Sequence, residues 1–586
     1  MNVNIKLVLL NAVAAFSLVG CGGGGGGNST PSTPTITTTA PPPVISPTVT
    51  PTPTPVSEPA EKPFTNLETR EEAARFLIQA GFGGTEEEIE ALVGTDAADW
   101  IAAEMSKPAT SMLSLMQARY PSREDTDFFH SRVIWQTMLT ADDELRQRMM
   151  YALSQIFVLS TGSFFDQGYR TAYYTDLLTN ESFGNYRALL EDVTYSPAMA
   201  DYLTYYRNRK GDPETGRLPD ENYAREILQL FSIGLVELEM DGTPKAGSPE
   251  TYDNDDISGL ARVFTGLSGA GSSFRYSDQD EDFRHRPLQM FDDQHSALEK
   301  RFLGTVIPEN TGGVATITQA LDTIASHPNV APFISRQLIQ RFTASSPSPD
   351  YVRRVAEVFE SGSFTAPNGR SFGRGQRGDF DAVIAAILLD ETVHDDVQEA
   401  NEGKVREPVI KFIQLTKSFN ASQVNAIDEG RFYNTSDPND ALSQHPLLSP
   451  SVFNFYRPGY IAPGTETGEA GLSAPELQIL NEGASLGFVN FMSYYIIRPS
   501  DDPENFPFFQ LNYTAEINLA DDVEALVDHL DLKLTAGQLS DSARADIIDV
   551  VSTMNVNPDT ADEDRRKRVQ TAVLMVVASG AYAAQN

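Results

Sequence analysis

The chain has 586 residues, with 81 Asp and Glu against 44 Lys and Arg, a formal net charge of −37 and one cysteine. The acids are spread along the chain rather than collected in one tail, which argues against a phosphate-tracking nucleic-acid surface, since that needs clustered Lys and Arg, and suits a protein kept soluble at a wet surface. One cysteine excludes an internal disulfide, a zinc knuckle and a dithiol motif, so the fold has to rest on core packing.

Lys6 supplies a sparse positive start, Leu7 to Val19 an apolar stretch too short to span a bilayer, and Gly20 a small residue before Cys21. That order resembles a bacterial lipoprotein signal, in which residues 1–20 are removed and Cys21 becomes the lipidated first residue. Acyl chains on both the thiol and the new amino terminus would anchor stably where a single chain holds only marginally. Gly22 stands where enteric lipoproteins retained in the inner membrane carry Asp, so the resemblance implies an exported protein anchored in the outer membrane. Residues 21–65 are low-complexity, a Gly22 to Gly27 run followed by Pro- and Thr-rich chain to Pro63. They read as a disordered tether, flexible and then polyproline-like, that holds a folded body off the membrane.

Residues 66–586 carry a helical period with few strand patterns, which predicts a mainly α body, either one large multi-helix domain or two packed helical lobes divided near 305–315. Thr69 to Glu72 and Thr85 to Glu88 have capping-box spacing; the first precedes Ala73, Phe76, Leu77 and Ala80 and is stopped by Gly81, the second precedes Ile89 and Leu92. Asp142, Asp143 and Glu144 suit the start of a helix whose Leu145, Met149, Ala152, Ile156 and Leu159 form a buried stripe. In the segment from Pro219 to Phe231, a helical wheel puts Tyr223, Ile227, Leu230 and Phe231 on one side and Glu221, Asn222, Arg225, Glu226 and Gln229 on one polar arc. Glu221 with Arg225 and Asn222 with Glu226 are spaced to pair at i,i+4. The array could bind a polar ligand, supply an acid/base carboxylate if burial raised a pKa, or be a structural helix whose charges satisfy one another.

Further along, Asp278, Asp280 and Asp282 resemble the start of a calcium loop but lack its glycine and terminal Glu, and read as a solvated loop. His285, Asp292, Asp293 and His295 are candidates for a divalent-metal or acid/base site, although their spacing matches no ligand pattern. His327 before Pro328 reads as a capping or packing residue. Ser348-Pro349 is an N-cap followed by proline at the first helical position, with Val352, Val355, Ala356 and Phe359 at helical spacing. Ser449 to Tyr460 sets aromatic rings beside Asn454 and Arg457, either a sugar- or peptide-binding surface or an aromatic core loop. Thr571 to Ala584 is too short for a bilayer and reads as a core helix. No nucleotide-binding or haem motif, nucleophile elbow or zinc-protease helix occurs, and the cofactor is left unassigned.

Asp220-Glu221-Asn222-Tyr223-Ala224-Arg225-Glu226 resembles the Asn-Glu-Asn-Tyr-Ala-Arg-Glu signature of a family of exported bacterial proteins, domain of unknown function 1800, with Asp220 in place of the first Asn. The resemblance extends over the whole body, through Asn208-Arg209-Lys210, Phe264-Thr265-Gly266, His295, Arg406-Glu407-Pro408, Ser449 to Tyr460 and Ala474 to Gln478. It brings no established activity, but implies export and an exported partner of the family numbered 1501. The expected function is therefore binding or assembly in the cell envelope. One alternative is an envelope hydrolase, of glycans for example, with Glu221 or Glu226 as acid/base, Arg225 and Arg457 orienting the substrate and His295 assisting. The other is a metal-dependent ligand-binding protein using His285, His295 and their neighbouring acids.

Overall fold

The computed structural model describes residues 65–585 except 122–128, 164–167, 272, 276–281, 394–402, 424–433 and 498–508. Cys21, the tether, Asp278 and Asp280 lie outside the described residues.

Local signals for helix starts are obeyed closely. Thr69 and Thr85 cap helices Arg70–Ala80 and Glu86–Leu92 through complete capping boxes, with Glu72 Oε2 accepting from Thr69 N at 3.0 Å and Glu88 Oε2 from Thr85 N at 2.8 Å. Each box satisfies two of the amide groups that a helix start otherwise leaves bare. Ser348 accepts from Tyr351 N at 3.3 Å to open helix Pro349–Ser361, and Gly362, at φ +63°, closes it in the left-handed conformation that glycine adopts without a Cβ penalty. His327 Nδ1 accepts from Asn329 N at 3.1 Å, just before helix Val330–Phe342.

Helices dominate, and the strands among the described residues are six two-stranded antiparallel ladders of two or three residues a side. The ladder between Lys404-Val405 and Ala584-Gln585 ties the end of the chain to its middle. Glu482–Ile497, Val523–Thr535 and Asp541–Ser552 all pack on helix Ala561–Val577, whose Val569, Ala572, Val573 and Val576 are buried. The stretch expected to continue as one core helix to Ala584 instead breaks at Ala578: Ser579 caps a separate turn, Gly580–Ala583, which feeds the final strand. Among the described residues, no helix is long and apolar enough to cross a membrane. These elements form one compact unit, Lys62–Asn586.

One expectation changes on packing. Helix Glu144–Ser154 ends before Ile156 and Leu159, and it is buried on every side from Leu145 onward rather than along one stripe, so Arg146, Gln147 and Arg148 point into the protein. Helix Asn254–Val263 meets strand Lys300–Phe302 backbone to backbone at Gly259, where a Cβ would lie 1.7 Å from Arg301 O. Gly259→Ala is expected to cost about 3 kcal/mol, the upper range for overpacking, read as a lower urea midpoint; an unchanged midpoint would show that the two elements slide apart freely.

Candidate functional site

Helix Pro408–Ser418 begins with proline at its first position, which leaves Glu407 at the N-cap with its side chain turned inward. The Glu407 carboxylate is fully buried, and its Oε2 accepts from Gln155 Nε2 at 2.6 Å, Gln444 Nε2 at 2.8 Å and Tyr151 OH at 3.2 Å. Burial works against its charge, but Lys404, Arg341 and Arg148 outweigh that and hold the carboxyl below the usual carboxylate range. Tyr456 OH donates to Gln155 Oε1 at 3.1 Å and lies under the Arg341 guanidinium at 5.0 Å. Beside them Lys404 Nζ and the Glu476 carboxylate, 2 % and 0 % exposed, form an ion pair; Ser345 Oγ donates to Glu476 Oε2 at 2.9 Å and Lys404 Nζ to Gln340 O at 2.7 Å. Residues far apart in the chain thus close one buried polar network.

The network backs onto a cleft, since Gln444, which donates to Glu407, is followed in the chain by His445, which lines it. The cleft has a volume of about 750 Å³ and is walled by the start of helix Phe129–Thr140, by Ser160 to Gly162, by segments between Asn434 and Phe455, and by Gln478 to Asn481. Its polar groups are the hydroxyls of Ser131, Ser160, Thr161, Ser436, Ser443 and Ser449, the amides of Asn434, Gln478 and Asn481, and the imidazoles of His130 and His445. Among the described residues no carboxylate, ammonium or guanidinium lines it. Burial lowers the pKa of His130 to about 4, and burial followed by the charge of His130 lowers that of His445 to about 3, so both are neutral near pH 7.

The tautomer of His445 follows from its neighbours. Nδ1 accepts from Thr435 N at 3.1 Å, so the ring proton sits on Nε2 and is donated to Ser131 Oγ at 2.6 Å. A general base for Ser131 would need a lone pair at that nitrogen. The pair therefore orders the cleft wall and does not activate a nucleophile. Two further groups at the wall, His130 Nδ1 and Ser443 Oγ, are buried without a hydrogen-bond partner, at 8 % and 9 % residue exposure.

The residues singled out in the sequence are distributed differently. Glu221 caps helix Asn222–Gln229, accepts from Ser258 Oγ at 2.7 Å and stands 3.9 Å from Arg225, both about half exposed. The expected Asn222–Glu226 pair does not form: Asn222 Nδ2 donates to Thr204 Oγ1 at 3.2 Å, while Glu226 is buried with Oε2 unpartnered, its carboxyl pushed up by burial and only partly restored by Arg225. The helix is short and Glu226 faces inward toward Tyr202, which itself hydrogen-bonds Ser449 at the cleft. Asn454, at φ +62° with Nδ2 buried and unpartnered, lines a small recess that shares His445, Ser449 and Phe455 with the cleft. Arg457 is exposed and stacks on Phe453 at 5.0 Å.

His295 is buried, donates from Nδ1 to Thr265 O at 2.8 Å and keeps Nε2 unpartnered, its pKa lowered by burial first. Gly266 next to it has φ +91°, and a Cβ there would press on Phe291 O and His295 N at about 3 Å. Asp292 Oδ1 accepts from Gly313 N at 2.8 Å and so holds the start of helix Gly313–Ala325; Asp293 accepts from Gln294 Nε2 at 2.8 Å; His285 lies 3.5 Å from Asp282 and edge-on to Tyr169. These four do not converge, and among the described residues no group of three or more His, Cys, Asp or Glu side chains could hold a metal ion. Nor does any hydrogen bond or ion pair join Glu226, His295 and Arg457 among the described residues.

Sequence reasoning missed His130, Ser131 and His445. The available signal was indirect: Ser449 to Tyr460 reads as a surface, and its first residues do form the cleft wall, but His445 lies just before that segment and His130 and Ser131 come from a different part of the chain. No curated protein and no solved structure matches this chain. The family described as a protein of unknown function, DUF1800, matches residues 75–584, essentially the entire helical body with its buried network and cleft, and the chain belongs to that family.

Proposed function

We propose that this chain is a lipid-anchored protein of the cell envelope that binds an uncharged polar ligand in the cleft beside His445. The observation that carries the reading is a 750 Å³ cleft with no charged side chain among the described residues that line it, in a chain of net charge −37. A volume of this size lies within the range of small-molecule sites, and the unpartnered His130 Nδ1 and Ser443 Oγ are groups whose desolvation a ligand would offset by supplying hydrogen bonds. The network of Glu407, Arg148 and Arg341 behind the wall holds Gln444 and His445 in place, so little ordering is left for binding to cost. The Ser131–His445 tautomer and the separation of Glu226 from Arg457 favour binding over hydrolysis. Export, the outer membrane and assembly with a partner of the 1501 family belong to the same reading and are supported by the leader and the family resemblance.

The cleft is tested by amide exchange of the full-length protein. An extract of the native envelope should slow exchange in residues 443–449 of the wild type and leave Ser436→Trp, which places an indole on the rim, unaffected; equal protection in both proteins would refute the cleft. For the anchor, Cys21→Ser should move the folded protein from the membrane to the soluble fraction, and retention of the variant in the membrane would refute lipidation.

A further inference from the structure

Resting on that reading of the cleft, we infer that its ligand is a neutral carbohydrate of a few sugar rings that carry adjacent free hydroxyls. Ser, Thr, Asn, Gln and neutral His each donate and accept hydrogen bonds, and these types supply every polar side chain of the described lining. Their natural complement is a ligand whose own groups also do both at close spacing, which is the chemistry of a polyhydroxylated ring. Phe455, Leu448 and Ile479 provide apolar surface for the C–H faces of such rings.

Peptide ligands fit less well because each common way of holding one lacks its requirement here. Strand addition needs a sheet edge, and the described cleft wall offers only the single bridge between Ser160 and Leu448, already closed by Thr161 N donating to Leu447 O at 2.9 Å. A helix needs a long apolar groove, a proline-rich segment needs several aromatic rings where the described lining has Phe455, and an acidic motif needs arginines, of which that lining has none. Acidic glycans and phosphates meet the same lack of cations, within a strongly acidic chain.

Periodate cleaves vicinal diols and leaves most peptide chain intact, so it separates a sugar with adjacent free hydroxyls from a peptide. The envelope extract is divided into untreated, periodate-oxidised and protease-digested portions, and each is offered to the wild type, Ser436→Trp and Ser443→Ala. The inference expects protection of residues 443–449 by the untreated and protease-digested portions and its loss with the oxidised one. It also expects Ser443→Ala to need about fivefold more extract for half protection, the scale of one neutral hydrogen bond. Passing the active portion over an anion exchanger should leave the activity in the flow-through. Protection that survives oxidation, vanishes with protease or is retained on the exchanger overturns the carbohydrate while the cleft reading stands. Absence of protection by the untreated extract overturns both.

Discussion

Replacing Glu476 with alanine is expected to lower stability by about 4 kcal/mol, and the double replacement Lys404→Met with Glu476→Leu to recover most of that loss. The single change leaves the Lys404 ammonium, 2 % exposed, without its carboxylate in an interior that solvates it poorly, and breaking a buried pair from one side costs about 3–5 kcal/mol. The double change removes both charges and returns apolar volume; its residual cost is the loss of Lys404 Nζ to Gln340 O and of Ser345 Oγ to Glu476 Oε2, each about 1 kcal/mol, and of the Lys404 charge that, with Arg341 and Arg148, holds Glu407 ionised. Urea midpoints of the wild type, both single variants and the double variant close the cycle. A Glu476→Ala midpoint equal to that of the wild type would show the pair to be solvated. The same cycle reports on the site, because Glu476 lies in the turn Pro475–Gln478 and Gln478 lines the cleft. The damaged single variant should therefore lose extract binding at a temperature where the double variant keeps it.

What could be read in advance follows the range of the interaction. Capping boxes at Thr69 and Thr85 and the Ser348-Pro349 start are contained within four residues, and their hydrogen bonds form regardless of what packs later. The polar face of helix Glu144–Ser154 was invisible for the opposite reason. Arg148 reads as a surface cation until Arg341 and Glu407 arrive from other parts of the chain, and nothing in its neighbourhood reveals them. The signature helix sits between these cases: its amphipathic split was legible, whereas the inward turn of Glu226 depends on the packing of Tyr202. The cleft was least legible, because hydroxyl and amide side chains carry no characteristic spacing and become a site only by convergence. Family motifs marked the network well, since Glu407, Tyr456 and Glu476 all come from them, and marked the cleft only where it touches that network.

Acid should destabilise the wild type more than His445→Gln, by about 2 kcal/mol between pH 7 and pH 5. In the unfolded chain the imidazole titrates near 6.5, while in the fold burial, followed by the charge of His130, lowers the pKa of His445 to about 3. Between those values the unfolded chain binds a proton that the folded one refuses, so stability rises with pH; the contribution is complete above about pH 6.5 and is lost as the pH falls toward 3. His130, lowered to about 4 by burial, contributes in the same direction. Asp192 and Asp381 act the other way, because burial raises each to about 6 and the folded state takes up their protons first on acidification. The wild-type curve alone therefore mixes opposing groups, and the difference from His445→Gln isolates one imidazole, with the glutamine amide still able to donate to Ser131. Urea midpoints at pH 7, 6 and 5 should diverge in this sense, and parallel curves would mean that His445 takes up its proton in the fold as readily as in the unfolded chain. The geometry explains why it resists: Thr435 N–H is aimed at Nδ1, so a second ring proton has to displace that donor, and the segment that frames the cleft has to move before His445 can be protonated.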